Sequence, residues 1–407
     1  MRSKELGVFG RFVLLLLTTN YLLLTFVHAQ DFSLNLNNGA FFSKTILGGT
    51  QYSFYKSGLK GRWEQNLADS FKLHAEVHGI LYNGSYLDTS EWKDFVSPLV
   101  EGKSKIHWEK SIYGTSRSEL RLRVYRADLA YHVADLQFRL GRLRNGFGNT
   151  RIFLSPLDRL DDLTTFVSDE LERPGSDSAQ VEYTPMDHFR LKTGYLWAST
   201  IGNFRSYIQS QFLVREGLEI GILGGRLEPK TNGFGLGLEK SIGESELKWE
   251  ATQNSREFEK QSLVFVGLLP QIVTTTEKQN FSRHLVSWER SFLGDWTAAL
   301  EYFHNGRGNK GFQNYDFASL LRAEDVYLAR DYAGFTLRKT LSPLWNARFE
   351  GIQNQTDGSL VWLPQISFSS ANSFLEATLK PSFYAGKKST EFGSLPNRTN
   401  FSLTVYF

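Results

Sequence analysis

Cysteine is absent from this 407-residue sequence, and proline and methionine are scarce, with ten and two residues. A chain of this length without cysteine is not one of the small secreted scaffolds that disulfides hold together. Glycine, phenylalanine and tyrosine are plentiful, at 35, 32 and 17 residues. Many glycines and aromatic residues without cysteine are typical of a large all-β structure with many turns.

An excess of charge of one sign is also lacking, since the formal net charge is +3. This near balance excludes a generally basic surface, so we expect no nucleic-acid partner. Long hydrophobic runs are missing after residue 30, and no transmembrane helix is predicted there.

The N-terminal segment predicts export from the cytoplasm. Arg2, Lys4 and Arg11 precede an apolar stretch, and Val27-His28-Ala29 fits the end of a cleavable signal peptide. The alternative is a retained anchor helix, but the apolar stretch is short for a bilayer span and polar residues interrupt it. We therefore expect residues 1–29 to be removed. Removal takes away three positive charges and one negative charge, and the net charge falls from +3 to +1.

Alternation of apolar and polar residues is the dominant pattern of the remaining chain. In the last segment, Phe401, Leu403 and Val405 alternate with Ser402 and Thr404. Segments of about ten residues have the length that a tilted strand needs to cross a membrane. In lipid, only a closed barrel satisfies every backbone group of such strands. The same alternation recurs along the chain, for example at 72–78, 218–222, 335–338 and 375–380.

The connections between these segments are of two kinds. Very short turns are predicted near residues 134, 186, 215, 243, 293, 342 and 370. Longer connections are predicted at about 83–117, 146–176, 256–279, 305–331 and 385–397. Short turns at one rim and long loops at the other are typical of outer-membrane barrels. The spacing predicts a transmembrane antiparallel β-barrel of about 18 strands over residues 30–407, or of 16 if the first strand and the segment around 281–291 are not strands.

One stretch resembles a known group of proteins. Residues 121–163 read RLRVYRADLAYHVADLQFRLGRLRNGFGNTRIFLSPLDRLDDL, in which Gly-Arg-x-x-x-Gly-aromatic-Gly leads to Pro-Leu-Asp. This motif resembles a feature of uncharacterised bacterial outer-membrane barrels that are similar to the alginate-export and porin families. The resemblance covers roughly residues 118–200 and implies a β-barrel and transport. The final Phe407, after alternating apolar residues, also resembles the C-terminal signature that the barrel-assembly machinery recognises.

A cluster of arginines is the main candidate for a pore-lining site. Alternation places Arg121 and Arg123 on one strand face, and a bulge near Tyr125 would keep Arg126 on that face. A similar slip at Gly141 would bring the arginines of the next strand to the same side. Lipid-facing arginine near the membrane midplane costs about 2–4 kcal/mol, so we expect these residues to face the lumen. The predicted constriction contains Arg121, Arg123, Arg126, Arg139, Arg142 and Arg144.

The loop after these arginines is acidic. Counted from the first hairpin, it is the third connection at the rim of the long loops, and in general porins that connection folds into the pore and faces a basic ladder. A transverse field across such a constriction would select polar or anionic solutes. The alternative is that the arginines and acids simply neutralise each other and hold the loop. The acidic loop residues are Asp158, Asp161, Asp162, Asp169, Glu170 and Glu172.

Two other groups of side chains are candidates for a metal site or a catalytic site. His74, Glu76 and His78 share a strand face and could offer metal ligands, but a barrel lumen places polar residues at alternate positions anyway. Ser282 with nearby histidines could suggest a hydrolase, but no nucleophile-elbow motif is present. We expect no metal, no cofactor and no enzymatic activity. The triplet of alternate glycines from Gly233 to Gly237 lies in a strand pattern and does not indicate a nucleotide site.

The sequence thus predicts a bacterial outer-membrane, porin-like channel for passive diffusion of small hydrophilic solutes. The arginines favour anions, whereas the acidic loop opposes that preference. One alternative is a dedicated export channel for a polyanionic polysaccharide, which a continuous basic track along the lumen would favour. Another is a plugged barrel that acts as a surface adhesin or receptor. The expected partners are outer-membrane lipids, the barrel-assembly machinery and the solutes; a homotrimer, common among porins, stays open because no sequence feature decides the oligomeric state.

Overall fold

The computed structural model describes residues 31–46, 49–97, 108–148, 150–161, 175–197, 204–266, 269–315, 317, 320 and 326–406. The predicted signal peptide, residues 1–29, and the C-terminal Phe407 lie outside these ranges. No helix in the described ranges is long and apolar enough to cross a membrane.

Strands form most of the described chain. In order they are β1 (Asp31–Lys44), β2 (Gln51–Ala68), β3 (Phe71–Asn83), β4 (Glu109–Gly114), β5 (Ser118–Val133), β6 (Leu136–Leu143), β7 (Ser176–Met186), β8 (Phe189–Leu196), β9 (Arg205–Arg215), β10 (Leu218–Glu228), β11 (Thr231–Ile242), β12 (Ser245–Val266), β13 (Leu269–Phe292), β14 (Trp296–Asn305), β15 (Asp331–Ser342), β16 (Trp345–Asn354), β17 (Leu360–Ser369), β18 (Leu375–Ala385) and β19 (Arg398–Tyr406). Short helical turns occupy Ser85–Asp88, Glu91–Val96, Phe312–Asn314 and Phe392–Ser394.

These strands form one closed antiparallel barrel. The first strand pairs with both its sequence neighbour and the last strand, since Asn35 lies opposite Lys60 of β2 and Tyr406 of β19. The short β4 pairs with β5 alone, so eighteen strands make up the barrel wall. The predicted fold class and the count of 18 are confirmed. Both segments that might have reduced the count to 16 are strands, namely β1 and β13.

Outward and inward faces differ as alternation predicts. On β19, Phe401 is outward and 46% exposed, whereas the neighbouring Asn400 is inward and buried. An apolar exterior matches the hydrocarbon of a bilayer, and polar groups inside the barrel can meet water or each other. The sequence pattern therefore decides which face of each strand lines the lumen.

The two rims of the barrel are built differently. Short turns close one rim, for example at residues 134–135, 216–217 and 243–244, and both ends of the barrel sheet lie there. Long connections lie at the other rim. Four of the predicted long connections are present, at 84–117, 144–175, 306–330 and 386–397.

The remaining prediction, a long loop at residues 256–279, is wrong. The strands β12 and β13 continue through it and pair from Arg256–Gln279 to Val266–Leu269. They form a two-stranded ribbon that extends beyond the neighbouring strands. Outside the membrane both faces of such a ribbon can meet water, so lipid imposes no alternation on its sequence, and the strand pattern was not recognisable.

Apolar cores lie inside the barrel, where long connections pack against the lumen wall. One contains Phe153, Phe303, Leu328 and Tyr332, with Phe392 from the last long connection. A second packs the helical turns after β3 against β1–β3, and a third surrounds Leu157 and Leu160. The inward-folded connections are thus fixed by burial of apolar surface as well as by polar contacts.

Candidate functional site: a segment folded across the lumen

The connection between β6 and β7, the third at the rim of the long loops, folds into the barrel. After β6 ends at Leu143, residues 144–148 and 150–161 pass from the β6 wall to the wall formed by β10–β16. We call this stretch the inward segment. Its course agrees with the prediction that this loop enters the pore, and it places backbone and side chains where they narrow the lumen.

Glu301 on β14 is the principal anchor of the inward segment. Its carboxylate accepts the backbone N–H groups of Arg151, Ile152 and Phe153 at 2.8, 3.1 and 2.8 Å. The hydroxyl of Ser287 donates to the same carboxylate at 3.2 Å. Since Glu301 is 3% exposed, these charge-assisted hydrogen bonds form away from water, where they are strong.

Further polar contacts fasten the segment along its length. The hydroxyl of Ser155 donates to Glu250 on β12, and Arg151 forms an ion pair with Glu289 on β13. The Leu154 N–H donates to the hydroxyl of Tyr327 at 3.0 Å. Near the end of the segment, the carbonyl of Leu160 accepts from Arg205. The segment is therefore held by the three successive wall strands β12–β14, by β9 and by another long connection.

Glycines on the opposite wall make room for the segment. A Cβ added at Gly221 would lie 2.6 Å from the ring of Phe147, and one at Gly334 would lie 2.8 Å from Ile152. At Gly235 it would overlap the Leu157 side chain. Only glycine permits this close approach, so lumen-facing glycines of β10, β11 and β15 are steric determinants of the constriction.

The bulge predicted near Tyr125 is confirmed. Pairing of β3 with β5 passes from Glu76–Arg126 to Val77–Val124, which leaves Tyr125 without an opposite residue. The predicted slip at Gly141 is wrong, because the register of β6 is continuous there with both neighbours. Gly141 instead adopts a φ of +139°, a conformation that side chains disfavour.

Each of the six predicted constriction arginines has a carboxylate partner. The fully buried Arg121 pairs with Glu119 at 2.9 Å, and Arg139 pairs with Asp128 at 2.8 Å. The remaining pairs are Arg123–Glu109, Arg126–Glu76, Arg142–Asp177, Arg144–Asp158 and Arg144–Asp161. The six arginines line one side of the barrel, but their charges are largely compensated by adjacent acids.

Of the six predicted acidic loop residues, the structure describes the first two, Asp158 and Asp161. Asp161 accepts from Arg144 at 2.6 Å and from the backbone N–H of Asn145 at 2.8 Å, while Asp158 accepts from Arg144 at 2.9 Å. Burial alone would lower the pKa of Arg144, but these two carboxylates outweigh burial and raise it. The other predicted acids, Asp162, Asp169, Glu170 and Glu172, lie outside the described residues.

Two water-accessible clefts flank the inward segment on the side of the short-turn rim. The first, about 350 Å³, has five cationic side chains against two carboxylates and one histidine, and we call it the basic cleft. Of the six predicted arginines, three line it, and Arg139 and Arg144 are the most exposed, with 29% and 32% of their side chains accessible. The charged residues of the basic cleft are Arg62, Glu64, Lys72, His74, Arg126, Asp128, Arg139 and Arg144.

The second cleft, about 410 Å³, lies under Phe147 and Leu157 of the inward segment. Its charges are mixed, and we call it the mixed cleft. Lys248 forms an ion pair there with Glu239 at 2.9 Å. Among the described residues, Lys192 has no carboxylate within ion-pair distance. The charged residues of the mixed cleft are Glu182, Arg190, Lys192, Glu219, Glu239, Lys248 and Glu250.

The histidines considered as metal ligands have other contacts. His74 lies between Asp128 and Glu76, at 3.1 and 3.4 Å, and the ring of His78 stacks on Tyr125 with a centroid separation of 4.4 Å. In the described ranges, no group of three or more potential ligands is arranged to hold a metal ion.

The residues considered for a hydrolase lie on the outward face. His304 contacts Asp331 at 2.7 Å, and its ring centroid is 5.9 Å from that of His284. Within the described residues, no hydrogen bond joins Ser282 to either histidine. The arrangement therefore lacks the contact that would activate a serine nucleophile.

Comparisons with known proteins agree on the fold. No protein-family model matches the chain, and no curated protein matches its sequence. Among solved structures, Acinetobacter baumannii OccAB1 is similar with a TM-score of 0.58 and 10% identity, covering 93% of this chain and 98% of that one. Pseudomonas aeruginosa OprD gives 0.53 and 9%, covering 93% and 95%, and Pseudomonas aeruginosa OpdK with vanillate gives 0.53 and 9%, covering 93% and 99%.

These structures are outer-membrane channels with eighteen-stranded barrels, and the chain has the same fold. The predicted resemblance to outer-membrane channel barrels is thus supported at the level of fold. The finer resemblance to alginate-export proteins is not supported by these neighbours.

Sequence reasoning missed the opposite wall of the constriction. No motif in the sequence singles out Glu301 or Glu250, and Gly235 lies in an ordinary strand pattern. One signal was present: glycines recur at lumen-facing positions of adjacent strands, with Gly221 directly opposite Gly237. Such a patch without side chains on a lumen wall indicates that another part of the chain packs there.

Proposed function

We propose that this chain is a bacterial outer-membrane channel through which small hydrophilic solutes diffuse passively. The observation that carries the proposal is the inward segment, fastened by Glu301 across a closed barrel whose inner face is polar. A barrel used only as a scaffold has no need of a fixed polar constriction. The channel fold shared with OccAB1 and OprD supports the same conclusion.

We further propose that the basic cleft gives the pore a preference for anions. Five cationic side chains line it against two carboxylates, which favours a positive potential where a solute contacts the wall, although Glu76, Asp158 and Asp161 outside the lining reduce that excess. In a narrow passage with low-dielectric walls, such a potential raises the local concentration of anions. Arg126, Arg139 and Arg144 carry this role better than Arg121, which is 0% exposed and cannot touch a passing solute.

The alternative of polysaccharide export lacks its expected feature. A long polyanion would need a continuous basic track, but Glu76, Glu109 and Asp128 interrupt the row of arginines on β5 and β6. The plugged-barrel alternative predicts that the inward-folded connections close the lumen completely. A conductance measurement separates that alternative from a channel.

Location, processing and assembly follow from the same proposal. The barrel would reach the outer membrane through the barrel-assembly machinery after cleavage of residues 1–29. A homotrimer stays an open alternative, because lipid can cover the apolar residues of the outward face equally well. The oligomeric state in detergent would decide it.

Two measurements test the proposal. Liposomes that contain the refolded protein should swell in isotonic solutions of small neutral sugars, and the rate should fall steeply as the sugar becomes larger. For anion preference, reversal potentials in a salt gradient should shift toward cations in Arg139→Glu and Arg144→Glu. Arg290→Glu, on the outward face, is the matched control. No swelling would refute diffusion, and an unshifted reversal potential would refute the role of the basic cleft.

A further inference from the structure

The outward face of the barrel carries a polar groove near the long-loop rim. It has a volume of about 730 Å³ and lies over β9–β13. Tyr207 and Gln209 are buried in the lumen, so the alternate Ser206 and Ile208 point outward. We call this site the rim groove; its outward polar side chains are Ser206, Arg226, Asn232, Gln253, Ser255 and Asn280.

Strand register brings several of these side chains into one row. Arg226 lies directly opposite both Ser206 of β9 and Asn232 of β11. Asn232 lies opposite Ser255, and Ser255 lies opposite Asn280 of β13. Directly opposed residues share a face of the sheet, so the row presents a guanidinium, amides and hydroxyls together on the exterior.

Aromatic residues indicate where the rim groove lies relative to the membrane. Tyr195 lies 5.6 Å from Trp197 and 5.4 Å from Phe204 between ring centroids, and Tyr195 and Trp197 are 40% and 37% exposed. Tyrosine and tryptophan clusters on a barrel exterior mark the level of the lipid headgroups. Outward arginine is costly at the bilayer midplane but costs only about 0–1 kcal/mol near the interface, so Arg226 belongs at this level.

Arg226 is held in place by an aromatic ring. Its guanidinium carbon lies 4.3 Å from the centroid of Phe204, a cation–π contact that orients the planar group. A guanidinium can donate two parallel hydrogen bonds to a phosphate, and the surrounding amides and hydroxyls can donate more. The lining of the rim groove contains one positive charge and no carboxylate, so its charge complements an anion.

We propose that the rim groove binds the phosphate of a lipid headgroup in the outer leaflet. This inference rests on the proposed location in the outer membrane. We assign the phosphate to a lipid, because the groove opens on the exterior of the barrel. Two exposed apolar side chains, Phe234 (56% exposed) and Ile208 (55% exposed), continue the groove toward the apolar belt. Acyl chains would lie along these side chains while the phosphate meets Arg226.

Retention of phosphatidic acid tests the proposal. The full-length mature protein is held in detergent micelles that contain either phosphatidic acid or phosphatidylcholine, and bound lipid is counted by native mass spectrometry. Phosphatidic acid should be retained in preference, and Arg226→Gln should lower its retention about tenfold. The matched control is Arg290→Gln, whose guanidinium also lies over a ring, Phe292, at 5.2 Å, but near the short-turn rim.

Each outcome bears on the proposal directly. Loss in Arg226→Gln with retention in Arg290→Gln supports it. Equal loss in both variants would assign the effect to general charge attraction, and displacement of the lipid by inorganic phosphate would assign the site to a free anion; either overturns it. Wild-type protein that retains no lipid overturns it as well. Because Arg226 lies outside the lumen, the conductance of Arg226→Gln should equal that of the wild type, so failure of the channel and failure of the lipid site are distinguishable.

Discussion

Glu301 and Phe153 are 148 positions apart in the chain, yet the backbone N–H of Phe153 donates to the Glu301 carboxylate at 2.8 Å inside the barrel. The ring of Phe153 stacks on that of Phe303, with centroids 5.7 Å apart, and Phe303 lies two residues after Glu301 on β14. A polar and an apolar contact thus fix the inward segment to one short stretch of β14. This double attachment indicates that the constriction is a permanent part of the barrel.

Replacement of Glu301 should loosen the constriction. Glu301→Gln leaves one carbonyl oxygen for three backbone N–H groups, and a hydrogen bond to a charged group contributes about 1.5–3 kcal/mol. Single-channel recordings should show larger and noisier openings than the wild type. Glu376→Gln is the matched control, because Glu376 faces the lumen and contacts Tyr406 rather than the inward segment. Identical conductance in wild type and Glu301→Gln would contradict the anchoring role.

A side chain at Gly235 should displace the inward segment. Gly235→Val would overlap Leu157, and overpacking of this kind costs about 1–3 kcal/mol. Limited proteolysis should then cleave the segment faster, and a second substitution, Leu157→Ala, should restore protection. Gly58→Ala is the control, since its nearest neighbours would be backbone oxygens at 3.9 and 4.0 Å. If Gly235→Val is as resistant as the wild type, the steric argument fails.

Deletion of Tyr125 should leave the barrel able to assemble. Without Tyr125, Val124 directly precedes Arg126, the pairing of β3 with β5 becomes regular, and Arg121 and Arg123 keep facing the lumen. An alanine inserted between Arg123 and Val124 should instead turn both arginines toward lipid, and each outward arginine near the midplane costs about 2–4 kcal/mol. The insertion variant should therefore lose the faster electrophoretic migration of a folded barrel in unheated samples, whereas the deletion variant should keep it. An insertion variant that migrates as a folded barrel would contradict the requirement that these arginines face the lumen.

The last long connection should be held more tightly at acidic pH. Burial, with a smaller contribution from Asp357, raises the pKa of Glu391 to about 7, above the usual value for glutamate. The docked state therefore binds a proton more readily than the undocked state, and the stabilisation is complete below the usual glutamate pKa and is lost as pH rises toward 7.

The Leu328 N–H, which donates to Glu391 at 3.1 Å, reports this change. Its hydrogen exchange, corrected for the intrinsic effect of pH, should show weaker protection at pH 8 than at pH 5. Glu391→Gln stays neutral and should remove the difference. Protection that increases with pH in the wild type would reverse the sign of the proposed linkage.

Strand number, rim assignment and the bulge at Tyr125 could be predicted from the sequence because lipid enforces alternation. Arg123 and Arg126 are three positions apart, so strict alternation would place one of them against lipid. Because a lipid-facing arginine is costly, the spacing indicates a bulge between them. No such constraint acts on the ribbon at 256–279, and its strands were missed. The partners of the inward segment were also hidden, because contacts such as Glu301–Phe153 join distant parts of the chain and depend on how the loop crosses the lumen.

The most direct test of a channel narrowed by the inward segment is single-channel conductance of the refolded wild-type protein in a planar bilayer. The account predicts discrete, stable openings whose size is fixed from one insertion to the next, as a permanently anchored constriction requires. A protein shown to be folded by its heat-modifiable migration, yet electrically silent across many insertions, would contradict a channel and favour a plugged barrel.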